Sequence, residues 1–592
     1  MTKFVFDIET NGLLDVLDTI HCIVLKDIET EKVYSFTPDK VEEGLKLLSE
    51  ADVIIGHNII KFDLPAIRKV YPNFKTRAHA TDTLVCSRLI WSDVKTQDFQ
   101  NASRYGFNTK LIGSHSLKAW GVRLNLHKGK FCENTDWKKW SPEMQDYCEQ
   151  DVEVNNLFFR VIESKKYSQQ ALELEHQFAV CISLQERHGF SFDREAAEKL
   201  LTDLVKRRLD LEADLQIAFP EWQKDLGEFI PARNNKAKGY IKGVAINKYE
   251  TVTFNPNSRH HISFNLKNKY GWKPKEFTPD GRPQIDEKVL SKLKYPEAKL
   301  LSEYLLVQKR ISQLAEGNTA WLKLEKGNKI YGSVNTNGAV SGRCTHMQPN
   351  ISQVPAVGVP YGKECRSLFV TSSGYKLVGV DFSGLELRCL AHYMARYDNG
   401  IYAKQVVEGD VHTFNQEAMG LSSRNVAKRV IYALIYGCGD RKMGEIISGT
   451  AREGKELKEK LFEKIPALSR LKDAVQNKVQ ATSNLRGIDS RILQVRSQHS
   501  ALNLLIQSAG AIIVKQATTL LHEKLFMKYK YGEDFAMVAH IHDEMQLQVK
   551  EKLADEIGKL AVQSIKDTQD IFNFRCPLDA EYKIGNNWAE TH

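Results

Sequence analysis

The chain has 592 residues, of which 42% are hydrophobic and 27% charged, a globular composition that excludes wholesale disorder and is too long for one hydrophobic core. Usual domain sizes predict about three or four structural units, and the formal charge of +9 is modest for this length. Because there is no apolar run of about 18 residues and no signal-peptide layout, we expect a cytoplasmic protein without membrane association. The ten cysteines include no C-x-x-C pair, which favours free thiols and argues against a zinc site.

Strand-like and helix-like segments alternate from the N-terminus to about residue 165, which predicts a mixed α/β domain. In the first strand, Phe4-Val-Phe-Asp-Ile-Glu9, side chains two residues apart project from the same face. Asp7 and Glu9 are therefore expected side by side. For this tripeptide alone, a solvated strand end is the more common explanation.

Two further carboxylates extend the pattern. Asp63 closes a Gly-His-Asn segment, and Asp151 follows Tyr147 by four residues, a spacing that places both on one helical face. Close carboxylate pairs repel by roughly 4 kcal/mol at an effective dielectric near 20, so such a cluster needs bound divalent cations. The combination predicts a two-metal site in which Tyr147 orients an attacking water. His57 and Asn58 suit either a substrate contact or a buried capping role.

The middle of the chain is helical and locally basic. Helical periodicity is predicted over 172–204 and 287–321, with a Gly-, Asn- and Lys-rich loop over about 226–255 between them. From Pro231 to Tyr270, eight Lys and Arg residues stand against the single acid Glu250. This concentration favours a polyanionic partner, and a solvated basic loop accounts for it equally well.

The C-terminal half contains a second pair of acids at predicted strand ends. A strand over 376–381 ends at Asp381, and the alternating segment 535–549 turns at His542-Asp543-Glu544, which predicts a β-hairpin with Asp543 at its tip. Two aspartates on adjacent strand ends would hold two Mg²⁺ ions, the arrangement that nucleotidyl transfer requires.

A helix between these acids carries a basic and aromatic edge. Ser422 or Ser423 is placed to cap it, and Arg424, Lys428, Tyr432 and Tyr436 recur every four residues along it. The first two lie about 6 Å apart along the axis, close to the spacing of successive phosphates, so we expect them to grip a triphosphate. For R-x-x-x-K alone, an exposed basic helix is the better explanation.

The N-terminal segments, in their order, resemble the DEDD superfamily of 3′→5′ exonucleases, in the subclass whose third motif is Tyr-x-x-x-Asp. The resemblance implies that Asp7, Glu9, Asp63 and Asp151 bind two Mg²⁺ ions. It also implies that Tyr147 positions the hydrolytic water.

The C-terminal segments resemble motifs A, B and C of the family A (DNA polymerase I) polymerases. The similarity extends to Asp410-Val-His412-Thr, to 333–343, to Asn503 with 507–510, and to Asn587-Trp588. It spans essentially the whole chain and is closest to the replicative polymerases of short-tailed bacteriophages. It implies a DNA-directed DNA polymerase with a 3′→5′ proofreading exonuclease that serves bacteriophage genome replication.

This resemblance implies a multidomain α/β and α+β fold, with an RNase H-like exonuclease domain followed by a right hand of palm, fingers and thumb. The expected bounds are 1–165 for the exonuclease, 166–195 for the start of the palm, 196–335 for a thumb with a short basic loop near 222–255, 336–400 for the palm with motif A, 401–515 for the fingers with the motif B helix at 423–437, and 516–592 for the palm with the motif C hairpin at 535–549.

The resemblance also assigns roles to residues. The implied metal ligands are Asp381, the backbone carbonyl of Phe382 and Asp543, with Glu544 beside the primer terminus. Glu386 matches the steric gate against ribose. The implied nucleotide contacts are His412, Arg424, Lys428 and Tyr432, and the implied DNA contacts are Arg343, Asn350, Tyr436, Asn503, Gln507 and His542. Each of the two centres is expected to hold two Mg²⁺ ions, with Mn²⁺ as a substitute.

Tyr432 is informative because bacterial repair members of the family usually have phenylalanine at this position and phage replicases often have tyrosine. A tyrosine hydroxyl can supply polar contact where a missing 3′-hydroxyl was. We therefore expect poor discrimination against dideoxynucleotides.

The implied partners are primer-template DNA and dNTPs, together with a replicative helicase, a primase and a single-stranded DNA-binding protein, for a protein expected to be a monomer. The thumb region that recruits thioredoxin in some phage replicases looks short here, so thioredoxin dependence is not predicted. The chain starts at the exonuclease segment, so we expect no 5′-nuclease domain.

Two other functions compete with this interpretation. A nuclease whose C-terminal part only binds DNA would require the loss of Asp381 or Asp543, and both are present. A non-enzymatic nucleic-acid clamp fits the basic composition but leaves both carboxylate clusters unexplained.

Overall fold

The predicted N-terminal strands form one mixed sheet in a computed structural model that describes residues 1–101, 108–126 and 136–592. The strands are β1 Lys3–Thr10, β2 Ile20–Asp27, β3 Val33–Phe36, β4 Val53–Gly56 and β5 His79–Asp82. Their order is β3-β2-β1-β4-β5, with β4 parallel to β1 and to β5, and β2 antiparallel to β1 and to β3. Strand β1 is central and buries Val5, Phe6 and Ile8, so its position is fixed by apolar packing.

Helices cover this sheet and lead out of it. They are α1 Val41–Glu50, α2 Asp63–Val70, α3 Thr83–Ile90, α4 Val94–Gln100, α5 Leu117–Arg123, α6 Pro142–Ser164 and α7 Gln169–His188, followed by the short strand β6 Phe190–Ser191. Helix α6 starts where the Ser141 hydroxyl accepts the Met144 amide proton and Pro142 fills the first turn. Cys148 and Val152 of α6 are buried with Val5 of β1 in one cluster, which sets this helix against the acidic strand.

Residues 191–330 and 354–369 form a separate compact unit. Its elements are α8 Arg194–Ala218, β7 Trp222–Phe229, β8 Ile246–Val252, α9 Arg259–Tyr270, α10 Glu287–Leu290, α11 Pro296–Ile311, α12 Trp321–Leu324, β9 Lys329–Ile330 and α13 Gly362–Ser367. The long helices α8 and α11 are joined by a hydrogen bond of 3.1 Å from the buried Tyr304 hydroxyl to Glu212. The predicted thumb, 196–335, overlaps this unit. Nothing in the sequence indicated that residues 354–369 also belong to it.

The segment expected to be a basic loop is a two-stranded antiparallel ribbon instead. β7 pairs with β8 from Trp222 opposite Val252 to Phe229 opposite Ile246. The strands are mostly exposed on both faces, so polar residues dominate them and hide the alternation that usually identifies a strand. Residues 230–245, the ribbon tip, join the two strands.

The remaining part of the chain, 331–353 and 370–592, belongs to the same compact unit as residues 1–190. Its elements are β10 Ser333–Asn335, β11 Thr345–Met347, β12 Tyr375–Phe382, α14 Leu385–Asp398, α15 Ile401–Val407, α16 Val411–Met419, α17 Arg424–Ile435, α18 Asp440–Ile446, α19 Ala451–Lys464, α20 Pro466–Thr482, β13 Asn484–Arg486, β14 Ile492–Gln494, α21 Ala501–Phe526, β15 Phe535–Ile541, β16 Glu544–Lys550, α22 Ala554–Ile571 and β17 Ala580–Gly585.

An antiparallel sheet in the order β15-β16-β12-β17 organises this part. The predicted motif A strand is β12, and the predicted motif C hairpin is β15 with β16. The segment 498–526, which contains α21, is long and apolar enough to cross a membrane, but 83% of its apolar window is buried inside the protein. It is therefore best explained as a core helix.

Candidate active sites

The first acidic site is built on β1, where Asp7 and Glu9 point from the same side of the strand. Their carboxylate oxygens and the Cys148 sulfur all lie within 4.8 Å of one another. The Cys148 thiol donates to the Asp7 carbonyl at 3.5 Å, and burial raises its pKa, so the thiol is neutral. Cys148 was missed by the sequence analysis, although its place three residues before Asp151 puts it on the same helical face.

Asp63 reaches this strand from the start of α2. Its carboxylate is buried and accepts a hydrogen bond from the backbone amide of Ile8, the residue between Asp7 and Glu9. Burial, with the nearby charge of Asp82, raises the pKa of Asp63 to about 7. A carboxyl group held this way ionises readily only when a positive charge is close.

The last predicted members of this site lie on α6. Asp151 is buried there, one helical turn beyond Cys148. Tyr147 is half-buried, with its ring 6.3 Å from that of Trp137 in an edge-to-face arrangement. Helix α6 therefore brings the third motif to the same strand that carries the first.

Asp82 is a second residue that sequence reasoning missed, and it shapes the segment that leads to Asp63. Its two oxygens accept the amide protons of Asn58 at 2.9 Å and Ile60 at 3.1 Å, while also capping α3. The Asp82 amide donates to His176 at 2.8 Å. His57, which the sequence left between two roles, bonds through Nδ1 to the Thr83 hydroxyl at 2.9 Å. The Asp82-Thr83 pair at the junction of β5 and α3 is the available sequence signal, since Asp is a common helix cap.

The second acidic site lies where β12 meets the β15–β16 turn. Asp381 is directly opposite Glu544 in the antiparallel register, and the Phe382 amide donates to the Asp543 carbonyl at 3.2 Å. His542 forms the turn with a positive φ of 54°. The two predicted metal-binding aspartates are thus on neighbouring strand ends, as the sequence indicated.

The pKa values of Asp381 and Asp543 are both raised. Partial desolvation, with the charges of Asp543 and Glu544, raises the pKa of Asp381 to about 6. Burial, with the charge of Glu386, raises that of Asp543. Ionisation is therefore less favourable for both carboxylates than for a free aspartate, and a bound cation would favour it.

Glu544 is held from several sides. The Trp588 indole and the Gln546 amide both donate to its Oε1, the latter at 2.6 Å, and His592 lies 3.1 Å from its Oε2. Trp588 is buried. These contacts restrain the orientation of Glu544, which is predicted to lie beside the primer terminus.

Glu386, the predicted steric gate, connects the predicted DNA and nucleotide contacts. It accepts from the Tyr436 hydroxyl at 2.7 Å and from Arg343 at 3.3 Å. Burial and this hydrogen bond raise the pKa of Tyr436 to about 12. Burial and the charge of Arg343 lower the pKa of His542. Arg343, Tyr436 and His542 therefore gather around the gate.

Helix α17 presents the predicted triphosphate contacts. Ser423 caps it by accepting the Val426 amide proton, and Ala427, Val430 and Ile431 bury its apolar face. Arg424 forms a two-point ion pair with Asp410, at 2.7 and 3.0 Å, and Asp410 also caps α16 ahead of His412. The ring of His412 lies 6.3 Å from that of Tyr432.

A cleft of about 700 Å³ runs along this helix, and Lys428, Tyr432 and Tyr436 line it. It is large enough for a nucleotide. Gly437 lies at its end with a φ of 70°, a conformation that favours glycine.

Three predicted DNA contacts lie outside these networks. Asn503 lines a neighbouring cleft that also includes Gly437, and Gln507 is half-buried one turn further along α21. Asn350 accepts from the Ser352 hydroxyl at 2.6 Å. Within the described ranges no hydrogen bond joins these three residues to the Glu386 network.

Comparison with known proteins gives a consistent family. Residues 231–590 match the profile of DNA polymerase family A. The DNA-directed DNA polymerases of Enterobacteria phage T3 and Escherichia phage T7 are each 36% identical over an alignment of 704 positions, gaps included, that covers 99% of this chain and all of the relative. DNA polymerase I of Aquifex aeolicus is 24% identical over 99% of this chain and 95% of the relative.

The fold comparison agrees. The POL domain of Pol1 from M. smegmatis, solved with DNA primer-template and dNTP, aligns with a TM-score of 0.74 over 99% of this chain and 96% of that chain, at 16% identity. The predicted fold class and family are confirmed. Since the family profile covers more than half of the chain and two relatives align from end to end, this chain belongs to DNA polymerase family A.

Proposed function

We propose that this family A polymerase extends a primer 3′-hydroxyl with dNTPs on a DNA template, by two-metal nucleotidyl transfer at Asp381 and Asp543. The single observation that carries the proposal is the position of these two aspartates on adjacent strand ends. Burial raises the pKa of both, with the charges of Asp543 and Glu544 acting on Asp381 and the charge of Glu386 acting on Asp543, and a bound cation would offset this cost.

The donor set suits Mg²⁺, which prefers carboxylate and carbonyl oxygens and keeps several waters. The residues that would hold it are Asp381, Asp543 and the Phe382 carbonyl. Bound Mg²⁺ would lower the pKa of the primer hydroxyl and neutralise charge at the attacked phosphate.

The surrounding residues bind and orient the substrates. Lys428 and Arg424 are one helical turn apart on α17 and match the charge of a triphosphate, while Tyr432 offers a ring to the nucleotide. Glu386, fixed by Tyr436 and Arg343, restricts the space beside the sugar. His542 and Arg343 have donors suited to the minor-groove acceptors that correct base pairs share.

A second activity, 3′→5′ exonucleolytic proofreading, is supported by the separate cluster on β1. Asp7 and Glu9 lie within 4.8 Å of each other, and Asp63 is tied to the amide between them. With Asp151 they would hold a second pair of Mg²⁺ ions. Tyr147 would orient the attacking water. The Cys148 thiol, which is neutral, would line the site without acting as a base.

Single substitutions separate the two activities. On a labelled primer-template with Mg²⁺, Asp381→Asn should reduce extension by at least about 100-fold, as expected when transition-state charge stabilisation is lost, and leave shortening without dNTPs intact. Asp7→Asn should do the reverse. Circular dichroism checks folding. Extension by Asp381→Asn at the wild-type rate would reject the polymerase assignment.

The similarity to phage polymerases supports a role in bacteriophage genome replication in the cytoplasm of the bacterial host. We infer that a helicase, a primase and a single-stranded DNA-binding protein act beside it. Thioredoxin is not among the proposed partners because the segment between β7 and β8 is short. Extension lengths on a single-primed template, with and without thioredoxin, test this directly: a large gain with thioredoxin would contradict it.

A further inference from the structure

A cleft of about 480 Å³ lies outside both acidic sites. Its walls come from α14, from the end of α20, from the turn between β13 and β14, and from segment 572–575. Four exposed cationic side chains line it, namely Arg396, Lys478, Arg486 and Arg575, and no aspartate or glutamate does. We call this cleft, with its four cationic residues, the basic cleft.

The charges of the basic cleft are uncompensated. Across the described residues, no carboxylate forms an ion pair with any of the four, whereas Arg452 on α19 and Lys559 on α22 each pair with an acid four residues away. Burial, with the positive charges of Arg575 and Arg396, lowers the pKa of His392 in the same cleft to about 4. Clustered like charges repel, so an anion bound here gains from all four.

The interior of the cleft is apolar and partly aromatic, with Leu471, Val475, Leu485 and Ile488 beside the rings. The His392 ring stacks on Phe574 at 4.3 Å, and Tyr393, Tyr397 and Phe572 contribute to the lining. The Tyr393 hydroxyl is buried and has no hydrogen-bond partner within the protein, an unfavourable state that a ligand with a suitable acceptor would relieve. Cations at the rim and rings with a free hydroxyl inside match a phosphate backbone and a base.

We propose that the basic cleft binds single-stranded DNA, with the four cations on phosphates and the aromatic lining on a base. This proposal rests on the proposed function, because the bound strand is taken to be the unpaired template ahead of the primer. An acidic peptide would satisfy the cations but leaves the aromatic lining and the Tyr393 hydroxyl unused. The polymerase site and the cleft are therefore distinct contacts with one substrate.

The test uses the full chain and two primer-templates that share a duplex, one with a template overhang of about 12 nucleotides, within the range that single-strand sites span, and one with a minimal overhang. Binding is measured by fluorescence anisotropy with Ca²⁺ in place of Mg²⁺, from about 50 to 200 mM salt. For Lys478→Ala/Arg486→Ala the salt slope on the long overhang should fall by about 1.4, since each single-strand phosphate contact contributes roughly 0.7. The slope on the minimal overhang should not change.

Two variants sharpen the result. Lys552→Ala/Lys559→Ala removes the same charge outside the cleft and should behave like the wild type. Tyr393→Phe should weaken binding of the long overhang without changing its salt slope, because it removes a hydrogen-bond donor and no charge.

Three outcomes overturn the proposal. One is an unchanged slope for Lys478→Ala/Arg486→Ala, and another is an equal loss on both overhangs. The third is loss of oligoglutamate binding by this variant with overhang binding intact, which would assign the cleft to an acidic protein. Extension by the wild-type protein on the minimal-overhang template reports the proposed polymerase function separately.

Discussion

Arg424 donates two hydrogen bonds to the two carboxylate oxygens of Asp410, from Nε at 2.7 Å and from a terminal nitrogen at 3.0 Å. A guanidinium offers the same paired geometry to phosphate as to carboxylate. Asp410 thus occupies the Arg424 guanidinium, which is proposed to bind the triphosphate. A triphosphate that binds through these same two nitrogens displaces Asp410 from them.

Substituting Asp410→Asn should therefore tighten dNTP binding. Asparagine keeps an oxygen for capping α16 but loses the charge that competes for Arg424. The pair is exposed and screened by solvent, so the KM for dNTP should fall only modestly, by roughly 1.4- to 5-fold, with kcat unchanged. Steady-state primer extension measures this, and Arg424→Ala, which should raise KM, is the control. A KM that stays the same or rises would contradict the competition.

Tyr432→Phe should increase discrimination against dideoxynucleotides. The Tyr432 side chain lines the cleft of α17 and is half-buried beside His412, so its hydroxyl is available to replace the contact of a missing 3′-hydroxyl. The measurement is the ratio of deoxy- to dideoxynucleotide incorporation. Tyr402→Phe, at a buried tyrosine outside that cleft, is a matched control, and an unchanged ratio for Tyr432→Phe would exclude the mechanism.

Features that neighbouring residues determine could be predicted from the sequence, whereas contacts between distant segments could not. Asp7 and Glu9, or Asp543 at a hairpin tip, follow from the two-residue period of a strand. The ribbon was missed because it has no buried face to impose alternation. The Asn58 and Ile60 amides donate hydrogen bonds to Asp82, which lies 24 and 22 positions further along the chain. No local sequence pattern encodes these contacts.

The ribbon tip should bind duplex DNA through its lysines. Lys236, Lys238 and Lys242 are exposed there, and each phosphate contact to duplex DNA contributes about 0.9 to the salt slope. Replacing all three by alanine should lower the slope by up to about 2.7 and reduce processivity. Alanine at Lys199, Lys206 and Lys299 of the helices in the same unit removes equal charge and should have less effect. Equal slopes for the two triple variants would remove the ribbon from DNA binding.

The Mg²⁺ requirement of synthesis should rise at acidic pH. The pKa of Asp381 is raised to about 6, so this group is ionised at pH 7.5 and increasingly protonated below pH 6. Protons then compete with the metal, and the half-saturating Mg²⁺ concentration should rise by up to about tenfold for each pH unit below 6. Primer extension titrated with Mg²⁺ at pH 7.5 and 5.5 measures it. The same half-saturation at both values would show that Asp381 does not limit metal binding.

Asp82→Asn should impair the exonuclease and spare the polymerase. Both Asp82 oxygens accept amide protons from the segment that precedes Asp63, and the side chain is almost completely buried, at 1% exposure. An asparagine can present one oxygen only, so an amide proton faces an NH₂ group and loses its partner, at about 1–3 kcal/mol. The segment 56–62 should then open more often, which hydrogen exchange of its amides will show as faster exchange. Because Asp63 follows this segment, exonuclease activity should fall, by up to roughly 5- to 160-fold, the range that the same energy sets, while extension stays at the wild-type rate. Normal exchange together with normal exonuclease activity would show that one Asp82 oxygen is sufficient.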